Sequence, residues 1–243
     1  MKAWTRRDLT IVPLDGAQDC IVIACDSCGG VGLKEGDVFR LPPRYTAKFT
    51  ARVALTEVIC SGALPVAVAN GVSSEMHPTG EETVLGIKDE LKNASLTDIV
   101  LTGSTEENFA ASMTALAITV IGTAKLSELR FKNAIDGDKL VLLGSPKAGT
   151  EVDLESAGFY LEIAWLLSMP EVKEIVPVGS KGVAYEAETL SALSGMSFKP
   201  YETEIDYFKS AGPATCLLVL CSEAAADKII KNYPTATVIG KMQ

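Results

Sequence analysis

A single histidine, His77, stands in the whole 243-residue chain, beside Pro78 in a stretch of turn-forming residues. It reads as a loop residue rather than a metal ligand or general base, although its titration range keeps it a candidate proton acceptor. Basic residues are also in deficit. The 22 Lys and Arg face 31 Asp and Glu, and the resulting charge of −9 argues against broad binding to nucleic acid or anionic membrane. No apolar run has the length of a membrane helix, and residues 1–8 lack the hydrophobic core of a secretory signal, so the expected location is cytoplasmic. Of the six cysteines, Cys20, Cys60, Cys216 and Cys221 lie in apolar runs, as small buried hydrophobes do. Cys25 and Cys28 have C-x-x-C spacing, but no second pair completes a zinc site and a thioredoxin motif would open a helix. Neither a disulfide scaffold nor an internal repeat is legible.

What the chain does have is apolar residues, 47% of the total, enough for a large core in one large domain or two modest ones. The elements alternate. An apolar strand spans residues 20–25, and residues 45–61 place Phe49, Val53, Ala54, Val58 and Ile59 near one helical stripe, with Gly62 able to end the helix. A strand follows at 65–70. Thr79 precedes Glu82 at capping-box spacing, and Val84, Ile87 and Leu91 carry a helix to about Asn93; residues 99–101 and 115–121 read as strands. The turn at 133–137 is the best internal boundary, giving domains at 1–133 and 134–243. Beyond it the pattern gives strands at 139–143, 175–178 and 217–221, helices at 154–167 and 183–193, and a helix opened by Ser222. The class is mixed α/β.

The chemistry concentrates in residues 24–34, Ala-Cys-Asp-Ser-Cys-Gly-Gly-Val-Gly-Leu-Lys. Here Asp26 is expected to leave the strand with a carboxylate able to hold a hard cation. The glycines would let backbone N–H groups approach phosphate oxygens, and Lys34 would neutralise charge. A plain glycine turn is the alternative. Three further clusters stand out. Glu57, an acid on an apolar helix, could ligate Mg²⁺ or be a solvated surface carboxylate; Ser104, Thr105 and Glu106 could serve a metal–phosphate site or cap a helix. Residues 71–78, with Glu75 and His77, form a plausible substrate loop.

Taken in order, these motifs resemble the aminoimidazole ribonucleotide synthetase superfamily, which includes thiamine-monophosphate kinase, selenophosphate synthetase and a hydrogenase maturation factor. Asp26 to Lys34 is similar to its aspartate, Gly-Val-Gly and lysine segment. Glu57 with Gly62-Ala63-Leu64-Pro65 resembles its acid before Gly-Ala-x-Pro, and Gly103-Ser104-Thr105-Glu106 resembles its Gly-Gly-acid-Thr loop. In the second half, Asp136-Gly137-Asp138-Lys139-Leu140 and the loop Ser145-Pro146-Lys147-Ala148-Gly149-Thr150 continue the likeness.

The resemblance implies an N-terminal α/β domain whose strands pair across a homodimer into a barrel, with ATP and Mg²⁺ near the interface, and a C-terminal α/β domain that helps to bind a small-molecule substrate. It assigns Asp26 and Glu57 to the metal and Lys34 to phosphate. Ser27, Gly30, Gly32, Ser104, Thr105 and Glu106 go to the nucleotide, and Glu75 is a candidate proton acceptor. Thr56-Glu57 replaces the usual Asn-Asp, and Ser104 stands where an acid is common. These variants look closest to α-ribazole kinases, which implies γ-phosphoryl transfer to a nucleoside hydroxyl. ATP-dependent amide or carbonyl activation, and nucleotide binding without turnover, are the alternatives.

Overall fold

The first two strands, β1 (Trp4–Arg6) and β2 (Leu9–Pro13), form a hairpin whose tight turn holds Arg7 at φ 52°. A left-handed conformation costs a non-glycine residue about 1 kcal/mol. Burial of the Arg7 side chain in an ion pair, described below, offsets it. The computed structural model describes residues 2–15 and 18–243.

β3 (Asp19–Gly29) buries Cys20, Val22 and Ala24 on one face and leaves Ile21, Ile23 and Cys25 toward the other, the alternation a half-covered sheet requires. It runs past Asp26, which pairs in register with Ile118, so the carboxylate sits within the strand rather than beyond its end. Cys25 and Cys28, being three apart on a strand, face opposite sides, which dismantles the C-x-x-C pair. After a left-handed Gly30 come two short parallel strands, β4 (Val31–Gly32) and β5 (Phe39–Arg40). Then follow α1 (Pro43–Cys60), β6 (Leu64–Val72), α2 (Glu81–Asn93), β7 (Val100–Thr105) and β8 (Ala115–Lys125). Gly62, at φ 86°, makes the expected stop after α1. The long strands form one open six-stranded sheet in the order β1-β2-β3-β8-β6-β7, with β6 and β7 parallel.

Helix α1 lies on the inner face of this sheet, where Val58 packs so close to Gly122 of β8 that a Cβ at Gly122 would overlap it. Helices α1 and α2 are joined by a buried two-pronged pair, Arg52 Nε to Glu90 Oε1 at 2.7 Å and Nη2 to Oε2 at 2.9 Å. The capping box expected of Thr79 and Glu82 does not form, because the Thr79 hydroxyl donates to Glu75 instead.

The chain divides into two compact units. One comprises residues 1–59, 63–128 and Leu154–Gly158; the other comprises residues 60–62, 129–153 and 159–243. The strap Leu154–Gly158 is therefore not the start of a helix. Arg52 donates to Ser156 and Lys48 to the Leu154 carbonyl at 2.7 Å, while Gly158 takes φ 78°; helix α3 begins only later. These contacts outside the local segment override its helical pattern.

The second unit contains β9 (Lys139–Gly144), α3 (Tyr160–Leu167), β10 (Val172–Pro177), α4 (Gly182–Ser194), β11 (Phe198–Pro200), β12 (Cys216–Cys221), α5 (Glu223–Asn232) and β13 (Ala236–Met242). Its sheet runs β10-β12-β9-β13-β11 and is antiparallel at every pairing. That ordering differs from the parallel arrangement that alternating strands and helices suggest. Every residue of β12 is buried, so both faces are covered; α4 packs Val183, Ala187 and Leu190 onto Leu140, Leu142, Leu218 and Leu220. Ser222 caps α5 as expected, its hydroxyl accepting the Ala225 N–H. Among the described residues no helix is long and apolar enough to cross a membrane.

Candidate functional site

The loop between β3 and β5 and the loop after β6 meet at one ion pair. Lys34 Nζ lies 2.6 Å from Glu75 Oε2, and the Thr79 hydroxyl donates to Glu75 Oε1 at 2.5 Å. Burial tends to raise the Glu75 pKa, but the Lys34 and Thr79 hydrogen bonds outweigh it and hold the group down at about 2. While so paired, such a carboxylate is a weak base at neutral pH. His77, the other candidate, is exposed and lies 2.9 Å from Glu81. Next to Glu75, the fully buried Ser74 hydroxyl meets no protein partner, an unmet group of the kind that a ligand or bound water satisfies.

The amides of Gly30, Lys34 and Gly36 are already engaged within the protein. The Gly30 N–H donates to the Thr114 carbonyl at 2.8 Å, the Gly36 N–H to the Ser112 carbonyl at 2.9 Å, and the Lys34 N–H to Asp37 at 2.8 Å. The loop is closed on itself. A Cβ at Gly32 would overlap the Thr114 hydroxyl and the Asp37 carboxylate, so glycine there serves close packing.

Asp26 is half-buried on the inner face of β3. Burial pushes its pKa up to about 6; the Ser27 backbone works against that, and the nearby Asp8 carboxylate adds to it. Asp8 itself is exposed, so of the two acids it is Asp26 that is drawn away from water. Cys28 is raised too, by burial first and then by the charges of Asp26 and Asp37. Ser27 sits on the opposite face of the strand from Asp26, so one ligand on the inner face does not reach both.

Glu57 is neither a solvated acid nor an open ligand. Its Oε2 lies 2.9 Å from Arg7 Nη1, with both side chains almost wholly buried. The partner is fifty residues away in sequence, and neither residue signals the other. Arg7 and Asp8 share one turn, so that turn borders both Glu57 and Asp26. Among the described residues no cluster of three or more His, Cys, Asp or Glu side chains is arranged to hold a metal. Mg²⁺ held by one or two carboxylates takes its remaining ligands from water and phosphates, so such a cluster is not what a nucleotide-bound ion requires.

Ser104 pairs with Gly71 on β7 and is exposed. Thr105 donates to Glu107 at 2.8 Å, and Glu106 caps its own turn by accepting the Asn108 N–H at 2.7 Å. Glu107 also accepts the Met76 N–H at 2.8 Å, and the Glu106 N–H donates to the Ser74 carbonyl at 2.9 Å, so both residues tie this loop to the Glu75 loop. Sequence reading missed Asp8, Asp37 and Thr114. An aspartate three residues beyond a lysine in a glycine loop was the one local sign available, for Asp37.

No family model and no curated protein matches the sequence. The fold, however, is shared with solved structures. Thermotoga maritima PurL complexed with AMPPCP superposes with a TM-score of 0.72 at 13% identity, over 96% of this chain and 41% of PurL. The chain thus spans about two fifths of PurL's length. HypE in a HypE–HypF complex gives 0.70 at 18% identity over 96% of this chain and 86% of HypE; the E. coli hydrogenase maturation protein HypE gives 0.68 at 16% over 91% and 79%. At these identities the likeness establishes the fold alone, a mixed α/β arrangement in keeping with the expected class.

Proposed function

We propose that this protein is an ATP-dependent enzyme, and that it acts as a small-molecule kinase on a nucleoside hydroxyl, as in α-ribazole kinases. The observation that carries the reading is the coincidence of the PurL and HypE fold over more than nine tenths of the chain with a lysine–acid pair that joins the glycine-rich loop to the loop after β6. PurL structures with AMPPCP, ADP and ATP support nucleotide binding on this fold.

In this reading Lys34 turns from Glu75 to the nucleotide phosphates, and Asp26 with Asp8 would hold Mg²⁺, which supplies charge neutralisation. Ser104 and the backbone of Thr105 and Glu106 border the nucleotide. The bond between the γ-phosphorus and its bridging oxygen breaks as one forms to the substrate hydroxyl, whose proton passes to solvent. Catalysis comes mainly from positioning and charge. We further propose a cytoplasmic homodimer that covers the outer sheet face carrying Ile21, Ile23, Ala69 and Ile121.

One observation favours a second reading, nucleotide binding without turnover: Glu57 is neutralised by Arg7. Incubating the pure protein with Mg-ATP and a panel of nucleosides separates the two. A phosphorylated nucleoside appearing with equimolar ADP supports the kinase, and Mg-ATP binding with no ADP formed against any nucleoside, amide or selenide supports the second reading. Free phosphate released with an amide substrate indicates the activation chemistry. Failure of ATP to bind at all, by calorimetry, sinks all three.

A further inference from the structure

The glycine-rich loop is folded around a carboxylate of its own. Asp37 is only 8% exposed. It accepts the Lys34 N–H at Oδ2, the Thr114 N–H at Oδ1 and the Thr114 hydroxyl at Oδ2, each at 2.8 Å. A buried carboxylate is stable only with such donors, and charge-assisted hydrogen bonds are the strong ones. Burial tends to raise its pKa, and the donors together with the Arg40 charge overcome this and hold it below the usual carboxylate range. Arg40 also donates to the Lys34 carbonyl at 2.8 Å, and the Asp37 N–H reaches the same oxygen at 3.1 Å. Lys34 is thus fixed at its N–H, at its carbonyl and, through Glu75, at its ammonium. Gly32 is pressed against the Asp37–Thr114 contact, where no side chain fits.

We infer that Asp37 is a positioning residue for the nucleotide site: its carboxylate takes up the Lys34 N–H and ties it to Thr114, and it thereby aims the Lys34 ammonium at the Glu75 loop. The inference rests on the ATP-dependent reading. It deepens that reading by assigning the phosphate contact to the Lys34 ammonium rather than to loop amides. Thr114, at the entry to β8, is the other half of the clasp and connects the loop to the central sheet.

The test uses the full chain with Asp37→Asn, Thr114→Val and Thr114→Ser, reading KM for ATP, kcat for ADP formation, and trypsin cleavage after Lys34 and Arg40. For Asp37→Asn, KM rises at least about tenfold with kcat within about threefold of the parent, and cleavage at the loop accelerates while the rest stays protected. Thr114→Val shifts KM the same way, and Thr114→Ser restores it. A parental KM and a protected loop in Asp37→Asn overturn the inference. Should Asp37→Asn be cleaved throughout, the Thr114 pair decides, and equal KM values for valine and serine overturn it. If the parent binds no ATP yet Asp37→Asn exposes the loop, the ATP reading falls while the loop-holding role of Asp37 is supported.

Discussion

Lys34 and Glu75, forty-one residues apart, join the loop after β3 to the loop after β6 through an ion pair of 2.6 Å. Both residues were expected at the site, but as partners of a ligand rather than of each other. Their pairing keeps a lysine ammonium ordered and half-sheltered, ready to exchange one anion for another.

Glu75→Gln should alter acid stability. A depressed carboxylate stabilises the fold above its unfolded pKa and loses that contribution as pH falls through its folded value. For Glu75 the window runs from about 4.5 down to about 2. The parent should lose on the order of 1 kcal/mol across it, after allowance for solvent screening. Thermal melts at stepped pH should show a flatter acid limb for the variant, and identical limbs refute the pairing.

Glu57→Ala should cost about 3 kcal/mol, because it removes the carboxylate that the buried Arg7 guanidinium contacts at 2.9 Å. Urea denaturation measures it. Replacing both residues by apolar side chains of similar volume should recover much of the loss, which a purely metal-binding Glu57 does not predict.

Asp26→Asn should weaken Mg-ATP binding at least about tenfold while raising stability at neutral pH by about 1–2 kcal/mol, since the amide removes a poorly solvated charge beside Asp8. Calorimetry and chemical denaturation on the same samples check both signs. Loss of binding together with loss of stability contradicts the assignment.

Ile23→Asp and Ala69→Arg, on the outer sheet face, should convert a dimer to a monomer with the fold kept. Light scattering and circular dichroism decide this, and a parent that is already monomeric removes the dimer proposal.

The fold was legible where local rules suffice. The apolar strand through Val22 and Ala24, the Gly62 stop and the Ser222 cap all depend on neighbours within a few positions, and each reads directly from the chain. The residues of the first cluster were legible too, but their partners were not. Arg7 for Glu57, Glu75 for Lys34 and Ser156 for Arg52 are separated by fifty, forty-one and one hundred and four positions. No periodicity encodes such contacts. The glycines illustrate the same point: Gly32 marks a close approach, and only the structure reveals that the approaching group is Asp37.

The strap Leu154–Gly158 has a practical outcome for anyone dissecting the chain. A fragment ending at residue 133 retains Arg52 and Lys48 but not Ser156 or the Leu154 carbonyl that receive their protons. Lys48 would lose that acceptor and Arg52 would keep Glu90 alone of these partners, so the severed half should hold α1 less firmly than the intact chain does.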